Sequence, residues 1–222
     1  MVDVLVVDDQ VLIRAGLVAM IKAAPGLNAV GEASSGEQAV ELAARLRPDV
    51  ILMDIRMPGL SGVAATEQIL AAATHDPPRI LILTTFDLDE YVYAALRAGA
   101  SGFMLKDTSP ERLFAAIAAI AGGDMLFTPG VLRRLIEANT RPGPAAGAPG
   151  QDLAALTSRE QEVLRLVARG LSNTDIAGTL YVSEATVKTH LNRLMSKLSL
   201  SSRAQAVVVA YESGLVTPGS PD

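Results

Sequence analysis

The 222-residue sequence contains no cysteine, which excludes disulfides and thiolate metal sites and fits a cytoplasmic protein. It has two histidines, His75 and His190, too few for a histidine-based zinc centre. No stretch of eighteen residues is free of charge, so no membrane-spanning helix is expected. The opening "MVDVLVVDDQ" lacks the basic segment and long apolar core of a secretory signal, and none is expected. Half of the residues are hydrophobic and 19% are charged, a balance that folds into one or two cored domains.

The net charge of −5 is unevenly spread. Residues 1–138 hold 11 basic and 17 acidic side chains, whereas residues 139–222 hold 8 and 7. Within 183–203, Lys188, Arg193, Lys197 and Arg203 face Glu184 alone. A basic patch behind an acidic front half points to two tasks, although a few surface cations also serve simple solvation.

The stretch "ANTRPGPAAGAPGQDL", 138–153, is rich in Pro, Gly and Ala without apolar periodicity, and reads as a tether. Before it, short β-branched runs alternate with amphipathic ones. Strands are expected at 3–7, 28–33, 49–53, 79–84 and 101–105. Helices are expected up to about Ala24, at 36–46 and near 61–73, 88–98 and 110–121, with a further short one near 129–139. Such alternation implies an α/β fold with a parallel sheet covered on both faces. After the tether the pattern is helical. Thr157 with Glu160 forms a capping box, Gly170 suits the C′ position, and Ser172 with Asp175 repeats the cap. Ser183 caps a third helix, and a fourth runs from about Ser202 to Ser213.

"DVILMDIRMPG", 49–59, delivers an acid, Asp54, to the tip of an apolar strand. In open parallel sheets, ligands bind beyond the carboxyl ends of the strands, where strand order reverses. With the flavodoxin-like order 2-1-3-4-5, Asp8 and Asp9 after the first strand meet Asp54 after the third. Three crowded carboxylates call for a cation, and hard oxygens with open water positions suit Mg²⁺. Thr84 at the end of the fourth strand and Lys106 at the end of the fifth reach the same crevice. A carboxylate is a competent nucleophile toward phosphorus, and Lys106 and Mg²⁺ would neutralise the transferred charge. A Mg²⁺-dependent phosphohydrolase is the competing chemistry. It calls for a second acid two residues after the nucleophile, where Arg56 stands.

Residues 1–121 resemble the receiver domain of bacterial response regulators, through "VDD", "DIRMPGLSG", "LILTTF" and "GFMLKD". The resemblance implies that Asp54 accepts phosphate from a sensor histidine kinase, so the domain is a phospho-acceptor rather than an enzyme. It implies that Asp9 binds Mg²⁺ directly, with Asp8 assisting, and that Asp54 and the backbone carbonyl of Arg56 complete the ligands. It makes Thr84 and Phe103 a coupled switch pair and Lys106 the phosphate clamp. Arg56 and Thr85 are placed to shade the attacking water and so to tune the phosphoryl lifetime.

On a helical wheel of 184–198, Val187, Leu191, Leu194 and Leu198 form one apolar stripe. Ala185, Lys188, Thr189, Asn192 and Ser196 lie opposite, with His190, Arg193 and Lys197 along one flank. That face suits a helix in the DNA major groove, and a plain helical bundle with a solvated face shares the same wheel. Ala177 is small where this helix and the preceding one cross. The segment "LTSREQEVLRLVARGLSNTDIAGTLYVSEATVKTHLNRLMSKL" resembles the LuxR-type helix-turn-helix along its whole length. With the receiver in front, the chain resembles a NarL/FixJ-class response regulator.

That resemblance implies a receiver at 1–121, a linker helix and tether at 122–152, and a four-helix DNA-binding domain at 153–217. It makes Lys188, Thr189 and Asn192 base contacts, and Ser183, Thr186, Arg193 and Lys197 phosphate contacts. It also implies a homodimer on operator half-sites, paired through apolar residues of the last helix among Val207, Val208, Val209 and Tyr211, of which Val207 and Tyr211 equally suit packing on the domain's own core. RNA polymerase is a further partner where the protein activates, and no membrane is involved. Phosphorylation would release a DNA-binding surface, or the dimer helix, covered by the acidic receiver. A DNA binder with a vestigial receiver remains the other class, against which the intact Asp8, Asp9, Asp54, Thr84 and Lys106 set argues.

Overall fold

Four consecutive side chains, Val50 to Met53, are wholly buried. A strand achieves that only inside a sheet covered on both faces. The computed structural model describes residues 1–73, 77–84, 89–124, 126 and 153–216, with 89–92 described for their backbone alone. Two units divide the chain, Met1–Leu126 and Phe127–Asp222. The helix expected near 129–139, the tether up to residue 152, and Thr85 lie outside the described residues.

The first unit holds strands β1 (Val2–Val7), β2 (Leu27–Ala33), β3 (Val50–Asp54), β4 (Arg79–Thr84) and β5 (Gly102–Leu105). Between and after them run helices α1 (Val11–Ala23), α2 (Gly36–Leu46), α3 (Gly62–Ala72), α4 (Asp89–Ala98) and α5 (Pro110–Ala121). All strand pairings are parallel, in the expected order β2-β1-β3-β4-β5. The apolar runs split by strand alternation. Leu5, Val7, Ile51, Met53, Ile80 and Ile82 pack on Leu42 of α2 and Ile69 of α3. Val4, Val6, Val50, Leu52, Leu81 and Leu83 pack on Ile21 of α1 and Ile117 of α5. Each large side chain so buried contributes about 1.5–3 kcal/mol.

One expected position shifts by one residue. Asp54 is the last residue of β3, in register with Leu83, rather than the first beyond it. Lys106 follows β5, which ends at Leu105. The turn after β3 closes through Gly62, the first residue of α3, whose N–H donates to Ile55 O at 3.1 Å. A Cβ on Gly62 would lie 1.9 Å from the Asp54 carbonyl oxygen, so the absent side chain lets α3 seat against the tip of β3.

The described part of the second unit starts with a 3₁₀ turn, Leu153–Ala155. Helices α6 (Ser158–Ala168), α7 (Asn173–Leu180), α8 (Glu184–Lys197) and α9 (Arg203–Glu212) follow. The expected caps are present. Thr157/Glu160 and Ser172/Asp175 form reciprocal capping boxes, and Ser183 accepts from the Thr186 N–H. Gly170 has a left-handed backbone just past the α6 C-cap, at φ 82°. Val163, Leu164 and Val167 of α6, Ile176 of α7, and Val187, Leu191 and Leu194 of α8 are buried. Leu198 completes the expected stripe, and Ala177 is buried. Tyr181, the C-cap of α7, also adopts the left-handed region, at φ 55° and ψ 45°, which costs a residue with a Cβ roughly 1–2 kcal/mol.

Two expectations for this unit need correction. Val207 and Val208 are buried in the single chain, so of the proposed dimer-face residues Val209 and Tyr211 alone stay partly exposed. Arg203 is not part of an exposed basic patch. It is buried, donates to Asn173 Oδ1 at 2.6 Å and to the Leu171 carbonyl, and ties α9 to the start of α7.

Gly62→Ala is expected to lower the first unit's stability by about 1–3 kcal/mol or more, because the clash is with backbone. Gly16, an exposed position inside α1 with no atom within 4 Å of a built Cβ, gives the contrast. Gly16→Ala is expected to raise stability by roughly 0.5–1 kcal/mol. Urea unfolding of the two variants checks both signs.

Candidate functional site

The first site forms where the carboxyl ends of β1, β3, β4 and β5 converge. Asp8, next after β1, is anchored by its backbone: its N–H donates to Ala33 O at 3.1 Å. Its carbonyl accepts from Arg14 Nη1 at 2.7 Å, and Arg14 Nε also pairs with Glu32 at 3.2 Å. Asp8 Oδ1 accepts from the Gln10 N–H at 2.9 Å. Asp8, Asp54 and Thr84 are buried. Lys106 is held at the same rim by its N–H, which donates to Thr84 O at 2.8 Å.

One ammonium joins the two buried acids. Lys106 Nζ lies 2.6 Å from Asp8 Oδ2 and 2.9 Å from Asp54 Oδ2. At Asp8 the contact is an ion pair by distance without an aligned hydrogen bond, so Oδ2 keeps unused acceptor capacity. Asp9 Oδ1 is buried with no hydrogen-bond partner. Ligand atoms of Asp8, Asp9 and Asp54 lie within 4.8 Å of one another. Burial raises the Asp54 carboxyl above its ordinary range, opposed first by its hydrogen bond to Lys106 and then by that ammonium's charge. The Asp8 charge adds to the rise, while the Arg56 N–H, donating to Asp54, lowers it.

Buried, under-satisfied carboxylate oxygens beside one cation are a donor set for a hard divalent metal, and they fit Mg²⁺. Asp54 has the chemistry of a nucleophile held still on a strand, with an ammonium beside it to receive negative charge. The structure thus brings together Asp8, Asp9, Asp54 and Lys106, with Thr84 at the same sheet edge. Phe103 is half-buried in β5, packed against the α2/α3 side of the core. The Arg56 side chain is exposed. Sequence reading missed Arg14. Its only sequence signal is a cation in the otherwise uncharged first stretch of α1, which does not reveal a grip on the Asp8 carbonyl.

The second site is the outer face of α8. Lys188, Thr189, Asn192 and Arg193 are exposed, and His190 is half-buried on the flank. Ser183 and Thr186 share a hydroxyl contact at 2.9 Å beside the N-cap. Thr189 donates its hydroxyl back to Ala185 O at 2.9 Å, leaving its methyl and an acceptor lone pair outward. Thr174 Oγ1 donates to Glu184 Oε1 at 2.9 Å, occupying the one acid of the first turn.

Lys197, an expected phosphate contact, is exposed on the flank of α8 and also makes an ion pair. Its ammonium lies 2.7 Å from Oε2 of buried Glu160, while the lysine side chain itself stays exposed. The hydrogen bond from Lys197 is the main reason the Glu160 carboxyl falls to about 2, with the Thr157 N–H adding to it against the opposing effect of burial. Of the four cations in the expected basic patch, Lys188, Arg193 and Lys197 are exposed, and Lys197 is also paired with Glu160. Arg159, also missed from sequence, donates through Nη2 to Leu180 O at 2.8 Å and fixes the turn between α7 and α8.

Comparison with known proteins identifies both halves. Residues 4–118 match the response regulator receiver domain, and residues 154–210 match the luxR family of bacterial regulatory proteins. The transcriptional regulatory protein YxjL of Bacillus subtilis is 44% identical over 216 residues, covering 97% of each chain. The nitrate/nitrite response regulator protein NarL of Escherichia coli is 37% identical over 209 residues, covering 94% of each. Among solved structures, the response regulator ChrA of a heme-sensing two-component system matches with a TM-score of 0.51 at 34% identity. That match covers 97% of this chain and 98% of ChrA. A complex of the two-component response regulator RcsB with DNA matches with a TM-score of 0.52 at 26% identity, covering 97% and 99%.

The Glu160–Lys197 pair sets an acid limit for the second unit. The folded carboxyl titrates near 2 against an ordinary 4.5, so its stabilisation is complete above about pH 4.5 and is lost as pH falls toward 2. Glu160→Gln is expected to lower the melting temperature at neutral pH and to flatten its fall over that acid window. Thermal melts of both proteins across the window check this.

Proposed function

Because the chain belongs to the two-component response regulators that join a receiver domain to a LuxR-type DNA-binding domain, we propose that Asp54 is its phospho-acceptor and that phosphorylation controls DNA binding. The observation that carries this reading is the cluster of Asp8, Asp9 and Asp54 around the Lys106 ammonium at the carboxyl edge of the sheet. In the transfer, an Asp54 carboxylate oxygen forms a bond to phosphorus while the phosphorus–nitrogen bond of a kinase phosphohistidine breaks. The bonding pair leaves with the imidazole.

Asp8, Asp9, Asp54 and the Arg56 carbonyl would hold Mg²⁺, which supplies charge neutralisation to the phosphoryl oxygens when bound. Lys106, already 2.9 Å from Asp54, turns its ammonium to the arriving phosphoryl oxygens. Thr84 adds a hydroxyl donor from the adjacent strand end. Its movement opens space for the half-buried Phe103 ring. The added charge, roughly −1.5 to −2, thereby biases a two-state equilibrium toward dimerisation and DNA binding.

The second unit then places α8 in the major groove of an operator half-site. Lys188, Thr189 and Asn192 meet bases there, and Ser183, Thr186, Arg193 and Lys197 meet phosphates. Two chains on half-sites one helical turn apart form the dimer. A cognate sensor histidine kinase is the phosphate donor, RNA polymerase is the further partner where the protein activates, and the work is cytoplasmic.

Acetyl phosphate with Mg²⁺ is the test. The expected result is a stable label that Asp54→Asn removes, with DNA affinity raised on the order of 5- to 150-fold. Label without a change in DNA affinity would mark a vestigial receiver. Turnover of many small phosphoesters would mark a phosphohydrolase instead.

A further inference from the structure

Among the described residues, the large apolar side chains left exposed are Met1, Val11, Leu12 and Tyr181. Met1 is the first residue, and Val11 and Leu12 open α1 beside the acidic pocket. Tyr181 is the most exposed of all, at 95%, and stands in the turn between α7 and α8. It combines two unfavourable features: an aromatic ring wholly in solvent and a left-handed backbone, φ 55°, where glycine or asparagine is the usual residue. The left-handed backbone closes α7 and makes the turn, but the exposed ring adds nothing to the packing of this unit.

The backbone that carries the ring is nevertheless firmly held. The Tyr181 N–H donates to Ala177 O. The Val182 N–H donates to the same oxygen at 3.0 Å, and Arg159 grips Leu180 O at 2.8 Å. Two residues later Ser183 caps α8. A fixed backbone with a two-torsion aromatic side chain makes a contact at little entropic cost. The neighbouring exposed surface is the outer face of α8, with Lys188, Thr189, Asn192 and Arg193. The major groove is about 12 Å wide, and Tyr181 stands three residues ahead of the first residue of α8, close enough for its ring to reach the sugar-phosphate edge of a groove that holds the helix.

We propose that Tyr181 is a DNA-backbone contact. Its ring packs on a deoxyribose at the edge of the groove, and its phenol hydroxyl donates to a phosphate oxygen. The contact fixes how far α8 enters the groove and carries no base preference. This inference rests on the DNA-binding reading of the second unit.

Because the contact is independent of sequence, the probe is a fluorescent mixed-sequence duplex of about three helical turns, titrated with the full chain at several salt concentrations. Tyr181→Gly removes the ring and relieves the left-handed backbone. It is expected to melt at or above the wild-type temperature yet to bind DNA about 2- to 10-fold more weakly, and Tyr181→Phe should fall between. A neutral side chain displaces no counterion, so the salt slope should stay unchanged, whereas Arg193→Ala should reduce it by roughly one. Unchanged affinity in Tyr181→Gly with the Arg193→Ala effect intact would overturn the proposal and make the ring a protein-facing residue. Weaker binding with a lower melting temperature would overturn it as well, by assigning the ring to the fold. No effect from either residue would overturn the DNA-binding reading itself.

Discussion

Two buried carboxylates, Asp8 and Asp54, sit at adjacent strand ends with one ammonium between them. Like charges so close and so far from water would repel strongly, and the protein keeps them together by bringing Lys106 from the far side of the sheet. Much of the first unit follows from that arrangement. The parallel order β2-β1-β3-β4-β5 is what makes β1 and β3 neighbours and lets the residue after β5 lean over them. Helices on both faces exclude water from the strands, so the charge pairing happens in a poorly screened setting where it is strong. Beside this pair, Asp9 Oδ1 is buried without a hydrogen-bond partner.

The second unit uses charge in a different way. Its cations are divided between holding helices together and facing outward. Lys197 closes on Glu160, Arg203 on Asn173 and the Leu171 carbonyl, and Arg159 on the Leu180 carbonyl. The partners are a buried acid, a side-chain amide oxygen and backbone carbonyls at or between helix ends, polar groups that need a partner when taken from water. The outcome is a rigid frame around α8 with Lys188 and Arg193 still free to meet an anionic partner. A helix that must present the same face repeatedly benefits from such a frame, since each lost contact would loosen the angle of the turn before it.

Much of both units was legible in the sequence because the relevant physics is local. Strand alternation in "DVILM", the capping pairs Thr157/Glu160 and Ser172/Asp175, and the stripe Val187, Leu191, Leu194 and Leu198 span only a few residues each. The acids at the strand ends were legible for the same reason, since strand order and strand direction suffice to gather them. The misplaced expectations concern partners far apart along the chain. Lys197 reads as a flank cation until Glu160, 37 residues earlier, is folded against it. Val208 reads as a surplus apolar residue until α9 docks.

The sequence by itself determined the element order, the helix ends, the carboxylates at the sheet edge and the polar face of α8. These follow from periodicity, capping and turn chemistry, all of which act within a turn of helix or a pair of strand residues. Tertiary structure alone decided that Lys106 bridges Asp8 and Asp54, that Arg14 grips the Asp8 carbonyl, that Lys197 pairs with Glu160, and that Arg203 turns inward. It also decided that Tyr181 stands in solvent on a strained backbone. The reason is that an ion's partner is set by which buried group most needs neutralising once the chain has closed, and residue spacing carries no record of that need.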